Sequence, residues 1–209
     1  VMARLEYLTE VKDITSRVMC DPYIKGLMEK EKEYSYSLML HGISVAMYAG
    51  AMAIHFNKQD EMVIPLESVI RGALIHDIGK VEVNKQILEK KGRLTAEEYE
   101  YIKLHADLGY RHICENVGPI EKDIVLLHHE KLNGSGYPTG SECIPFYVQI
   151  VTVADMYDAL ISKRTYKRMY SHAEAMDILK QEVVNGNIDH EILCGLELVI
   201  NNGYDQKMK

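Results

Sequence analysis

The chemistry open to this chain is concentrated in a histidine–aspartate pair that closes an apolar run. The sequence there reads Arg71-Gly72-Ala73-Leu74-Ile75-His76-Asp77-Ile78-Gly79-Lys80. The apolar residues predict a buried helix, which delivers an imidazole and a carboxylate to the interior. Neither group is stable there without a partner. A metal ion satisfies both, because imidazole suits transition metals and a carboxylate can bridge two ions. On a continuing helix Lys80, four residues after His76 and three after Asp77, shares their side. Taken alone, the stretch is more simply read as a buried His–Asp hydrogen bond with a surface lysine nearby.

Other residues of the same chemistry change that balance. A helix predicted from Tyr34 to Phe56 has an inner face of Leu38, His41, Val45, Tyr48/Ala49 and Met52. Thr95-Ala96-Glu97-Glu98 is a capping box that starts a helix to about Glu115, with His105 on its apolar side. Pro119 opens a helix that runs through Ile120, Ile124 and Leu127 to His128-His129-Glu130. Adjacent histidines diverge by about 100° within a regular helix, so these two converge on one ion only at a helix end. The turn-rich segment from Lys131 to Gly140 supplies such an end. A further helix from Ile144-Pro145 to Ile161 puts Asp155 and Asp158 on one side. Five of the nine histidines, with Asp77 and Asp155, thus make seven potential ligands on five helices. Five chance placements on inner faces are a poorer account than one shared site. A nitrogen and oxygen set without thiolate suits Fe, Mn, Zn, Co or Ni rather than a structural zinc site.

The remaining elements frame these residues. Residues 1–33 read as an amphipathic N-terminal segment, broken near Asp21-Pro22, that packs on the domain or on a second copy, and no chemistry is assigned to it. Residues 34–209 form the domain proper. Asn84 to Leu88 reads as a turn and Lys90 to Arg93 as a basic surface loop. Ser171-His172-Ala173-Glu174 is a second capping box, whose helix Gly186 ends; Asp189 caps the last helix, closed by Asn201-Asn202-Gly203. No run alternates apolar and polar residues, so the fold class is all-α, a helical bundle with a metal centre in its core. At 209 residues the chain buries a sizeable core.

A net charge of −7 argues against binding of polymeric nucleic acid, which needs a basic surface. Cys20, Cys114, Cys143 and Cys194 are widely separated, so reduced thiols are expected. No apolar run reads as a membrane span, and the start Val1-Met2-Ala3-Arg4 lacks a signal-peptide core. A cytoplasmic domain is the expectation.

The ordered set His41, His76-Asp77-Ile78-Gly79-Lys80, His105, His128-His129-Glu130-Lys131, Gly136-Tyr137-Pro138 and Asp155 resembles the HD-GYP subgroup of HD-domain phosphohydrolases. Leu94 to Glu98, Ala154 to Leu160 and Arg164-Thr165-Tyr166-Lys167 resemble it too, and the likeness covers roughly residues 37–190. The resemblance implies a phosphodiesterase that hydrolyses cyclic di-GMP, a bacterial second messenger, to pGpG, GMP or both. It implies two divalent ions, Fe or Mn first, with Zn, Co and Ni compatible. His41, His76, Asp77 and Asp155 would hold one ion; His105, His128 and His129 the other, with Asp77 bridging. The pair would activate a water for in-line attack. Lys80 and Asp77 are the catalytic residues so implied, and Lys80, Tyr137, Arg164 and Lys167 the substrate-binding ones. Loss of Arg164 should weaken binding by roughly 1.5–3 kcal/mol. Partners implied are the cyclic dinucleotide, a second copy, or an upstream sensor or receiver domain.

Three departures bear on this. Family members with a third ion carry a Glu four residues before the first His, where this chain has Ser37, so two metals are expected. Lys131 and Asn133 replace a frequent Arg and Asp, which bears on substrate positioning and rate. Asp158 and Glu130 are expected to hydrogen-bond the ligating histidines or the nearby loop. The alternatives are a receptor that binds the nucleotide without turnover, and hydrolysis of another cyclic dinucleotide.

Overall fold

Asp21 accepts hydrogen bonds from the amides of Tyr23 and Ile24, at 3.0 and 3.1 Å, and Pro22 occupies the first helical turn. Thr95 and Ser171 each close a reciprocal capping box, with Glu98 and Glu174. Such local signals start the helices of a bundle seen in the computed structural model, which describes residues 2–59, 63–113, 116–162 and 168–201. The helices are α1 (Met2–Met19), α2 (Pro22–Tyr34), α3 (Tyr36–Gln59), α4 (Leu66–Ile75), α5 (Lys85–Leu88) and α6 (Ala96–Lys103). They continue with α7 (His105–Ile113), α8 (Pro119–Leu127), α9 (Phe146–Ile161), α10 (His172–Val184) and α11 (His190–Asn201). A 3-10 turn, Ile78–Glu82, follows α4. No strand occurs among the described residues.

The core is built around α3, which packs against α1, α2, α4, α9 and α11. This explains why α3 is apolar nearly all round. By length and composition it could cross a membrane, contrary to the sequence expectation, but most of it is buried inside the bundle. Val11 and Val18 of α1, and Ile24, Leu27 and Met28 of α2, are buried in the same core as α3 and α9. The N-terminal segment therefore shares the core of the rest.

Two elements depart from expectation, and both departures serve the site. The first helix of the site stops at Ile75 instead of continuing through Lys80. Asp77 takes φ −99° and ψ 8°, and the chain tightens into the 3-10 turn. Gly79 makes that turn fit: a Cβ there would collide with the His105 carbonyl and the Gly109 amide. The helix expected from Thr95 to Glu115 is likewise divided at Leu104. The His105 side chain donates to the Ile102 carbonyl at 2.7 Å, taking an acceptor that a continuous helix would use internally. Residues 84–88 form a short helix, not a turn, with Asn84 as its cap. Glu115, Asn202 and Gly203 lie outside the described residues.

Gly79→Ala should therefore destabilise the fold by about 1–3 kcal/mol, read as a melting temperature lower by roughly 2–12 °C. Gly26→Ala is the contrasting case, since a Cβ at that helical glycine meets nothing within 4 Å. It should raise stability by about 0.5–1 kcal/mol in the same denaturation experiment.

Candidate metal centre

Six of the seven expected ligands are buried, and five segments of chain meet to bring the seven together. His41 comes from mid-α3, His76 and Asp77 from the end of α4, and His105 from the first residue of α7. His128 and half-buried His129 follow α8, and Asp155 comes from α9. His76 and His128 are 0% exposed and Asp77 is 2% exposed, so the middle of the cluster is out of reach of bulk water. Donor atoms of Asp77, His105, His128 and His129 lie within 4.8 Å of one another, as do those of His41, His76 and Asp77. Asp77 is common to both groups. Its Oδ1 is 3.4 Å from His105 Nε2, and its Oδ2 is 3.4 Å from His76 Nε2 and 3.9 Å from His41 Nε2. Asp155 adjoins the second group, with Oδ1 2.8 Å from His41 Nε2 and 3.9 Å from His76 Nε2.

The imidazoles are oriented before any ion arrives. His76 Nδ1 donates to the Ala73 carbonyl at 2.8 Å, His105 Nδ1 to Ile102 at 2.7 Å, and His128 Nδ1 to Val125 at 3.0 Å. His41 Nδ1 donates to Asp158 Oδ2 at 2.5 Å. With the proton held on Nδ1, the Nε2 of His76, His105 and His128 faces the cluster as a lone pair able to ligate a metal, while His41 Nε2 meets Asp155 Oδ1 at 2.8 Å. His76 Nε2 and Asp77 Oδ1 are buried without any hydrogen-bond partner. A cation satisfies an orphaned imidazole nitrogen and an orphaned carboxylate oxygen together, so the residues present fit a metal.

The electrostatics point the same way. Burial opposes charging Asp77, but the Lys80 ammonium and His76 hold its carboxyl well below the usual range. Burial likewise opposes ionisation of Asp155, and the His41 hydrogen bond outweighs it. Burial pulls His41 down, yet hydrogen bonds to Asp155 and Asp158 push it up to about 9. Burial, reinforced by Lys80, pulls His105 down to about 3. Burial also lowers His128 and His129. The ionised carboxylates and the neutral His105, His128 and His129 are the forms that bind cations, and His41 must give up a proton to do so.

Neighbouring residues fix this arrangement. Lys80 donates to Asp77 Oδ2 from the 3-10 turn, so it reaches that carboxylate although the helix has ended. Glu130 Oε1 accepts from the Thr139 amide and hydroxyl, each at 2.7 Å, tying down the Gly-rich loop. A Cβ at Gly136 would strike the backbone of Glu130 and Lys131, so glycine lets this loop lie directly on the His129 segment. Tyr137 then stacks on the His129 ring, with centroids 4.7 Å apart. Asn133 is spent within its loop, donating to Asn187 Oδ1 at 2.7 Å and accepting from Ser135. Lys131 instead lines a cleft of about 270 Å³ that opens onto His128 and His129, walled by Met156 and Leu160. Arg164 and Lys167 lie outside the described residues.

Sequence reasoning missed one neighbour. Glu31 of α2 is 1% exposed, and its Oε2 has no hydrogen-bond partner. Burial, then the charge of Asp77, raises its carboxyl well above the usual range. Its partial signal was position: Leu27, Met28 and Glu31 share the buried side of α2. Ser37 is exposed and bonds Ser35 at 2.9 Å.

Metal titration checks the assignment of ligands. Asp158→Ala should free His41 Nδ1 and weaken one bound ion by about 10–100-fold while the other is retained. Asp77→Ala should abolish retention of both.

A protein-family comparison matches the model described as HD domain to residues 38–192. A cyclic di-GMP phosphodiesterase of Pseudomonas aeruginosa is 35% identical over 171 residues, covering 79% of this chain and 39% of that protein. A 3'3'-cGAMP-specific phosphodiesterase of Vibrio cholerae is 33% identical over 165 residues, covering 77% of this chain and 35% of that protein. The chain thus spans well under half the length of either relative. Among solved structures, an HDG"Y"P protein from Bdellovibrio bacteriovorus aligns with a TM-score of 0.64 at 17% identity, over 93% of this chain and 70% of that one. With the ordered ligands, the Gly136-Tyr137-Pro138 loop and the family match in agreement, this chain belongs to the HD domain family, in its HD-GYP subgroup.

Proposed function

We propose that this chain is a metal-dependent phosphodiesterase that hydrolyses cyclic di-GMP to pGpG, GMP or both. The observation that carries the reading is the pre-oriented donor set: four imidazoles with Nδ1 tied down, arranged in two groups that share the Asp77 carboxylate. One group with Asp155 suits one divalent ion and the other suits a second, with Fe or Mn as the first choices. The names of the relatives supply the substrate class.

Two divalent ions bound so would supply Lewis acidity toward a phosphodiester and a water acidic enough to attack at neutral pH. The remaining tasks fall to side chains. Asp77 stays ionised because Lys80 and the surrounding imidazoles offset its burial. The half-buried Lys80 ammonium, held on Asp77, would lie beside the reacting phosphate, where it can meet charge that grows on the phosphoryl oxygens. Tyr137 covers the outer face of His129 and keeps water from that side of the site. Arg164 and Lys167 are assigned to the phosphates of the ligand.

The decisive experiment incubates protein loaded with Fe(II), Mn(II) or Co(II) with cyclic di-GMP and separates the products. Release of pGpG or GMP is expected, and chelation should stop it. Absence of both with every metal would overturn the reading, and tight binding without product would favour a receptor. A parallel panel of 3'3'-cGAMP and cyclic di-AMP ranks the bases. Lys80→Met should lower kcat by about 10²–10³ while leaving bound metal unchanged.

A further inference from the structure

One column of side chains leads outward from His129, and its outer members, Lys103 and Tyr99, have no part in the metal chemistry. His129 carries Tyr137 stacked on its ring, at 4.7 Å and an interplanar angle of 29°. The Lys103 ammonium lies 5.5 Å from the Tyr137 ring centroid and 4.9 Å from that of Tyr99. Tyr99 is 49% exposed, so the far end of the column meets solvent. Core packing does not explain it, because α6, which carries Tyr99 and Lys103, buries none of its residues.

We propose that Tyr99 and Lys103 form a shelf for the second nucleotide of a cyclic dinucleotide, the purine stacking on aromatic face and the distal phosphate meeting the ammonium. This rests on the phosphodiesterase reading above. A cyclic dinucleotide has two phosphates and two bases, and the metal centre engages only one phosphate. The other half needs flat apolar surface close by and cations for its phosphate, to which Lys103 would add alongside Arg164 and Lys167. Every base offers a π-face, so aromatic side chains hold bases without reading their edges. Lys103 pairs with Glu100 at 2.7 Å, but Glu100 is 67% exposed. An exposed pair of that kind is weak, so a phosphate displaces the carboxylate at little cost. In a chain of net charge −7, a local cation stacked outward from His129 adds to Lys80 and Lys131 in favouring a dianionic ligand. The shelf confers affinity for dinucleotides over small diesters, and it acts through the part of the substrate remote from the reacting bond.

The test compares kcat/KM for cyclic di-GMP with that for bis(p-nitrophenyl) phosphate, a small diester without bases, on metal-loaded protein. Lys103→Gln and Tyr99→Leu should each lower the ratio roughly 5- to 100-fold, with the loss in KM for cyclic di-GMP and not in kcat. Lys103→Arg and Tyr99→Phe, which keep the charge and the ring, should restore it. An unchanged ratio in the first two variants overturns the shelf. So does an equal loss on both substrates, which would mean a disturbed His105 two residues on. Wild-type protein that cleaves the small diester but not cyclic di-GMP overturns the functional reading and the shelf with it. Wild-type turnover of both, with variants that keep the ratio, overturns the shelf alone.

Discussion

The structure turns on one buried carboxylate. Asp77 is 2% exposed, and Oδ1 and Oδ2 face different groups of imidazoles. An ionised carboxylate taken from water loses several kcal/mol of hydration unless the interior replaces it. Lys80 and the histidines are that replacement, and they come from α3, α4, the 3-10 turn, α7 and the end of α8. The bundle must therefore close around Asp77 for the charge to be tolerated. This constraint explains why small residues occur where these elements meet: Gly79 against the start of α7, and Gly136 against Glu130.

Three of the histidines are held by the same local device. The last carbonyls of a helix have no partner within it. His76 and His128 sit at the C-caps of α4 and α8, and His105 follows the last turn of α6. Each donates Nδ1–H to the carbonyl three residues before it, of Ala73, Val125 and Ile102. One hydrogen bond satisfies an orphan carbonyl, selects the tautomer and aims Nε2 inward. Ending a helix and orienting a candidate metal ligand are here a single event. His41, in the middle of α3, has no free carbonyl available and uses the Asp158 carboxylate instead.

That pattern also explains what the sequence could and could not disclose. His41, His76, His105, His128, His129 and Asp155 were legible because each stands on an apolar helix face or beside a loop signal. The capping boxes at Thr95 and Ser171 were legible because they depend on four consecutive residues. The end of α4 at Ile75 was not, because Gly79 turns the chain only in response to the His105 and Gly109 backbone, distant in sequence. The break at Leu104 was hidden for a similar reason: a side chain destined for the site takes a helical carbonyl. Glu31 was passed over because α2 read as packing alone, and its buried side faces the centre only once α2 has docked on α3 and α4.

The charge pattern shows why the interior is suited to a cation rather than to an internal ion pair. His41, pushed up to about 9 by Asp155 and Asp158, carries a proton in the metal-free state. The imidazolium sits between two carboxylates, Nδ1–H donating to Asp158 at 2.5 Å and Nε2–H to Asp155 at 2.8 Å. His105, His128 and His129 are all pulled down by burial and stay neutral; His105 and His128 spend their single N–H on backbone carbonyls, and Asp77 Oδ1 is left without a donor. A proton on one imidazole and the Lys80 ammonium balance only part of the buried negative charge. A divalent ion can take the place of the Nε2 proton and supply the missing charge from within the cluster. Selection for such an ion explains why a fold that could have filled the same space with leucine keeps a polar centre.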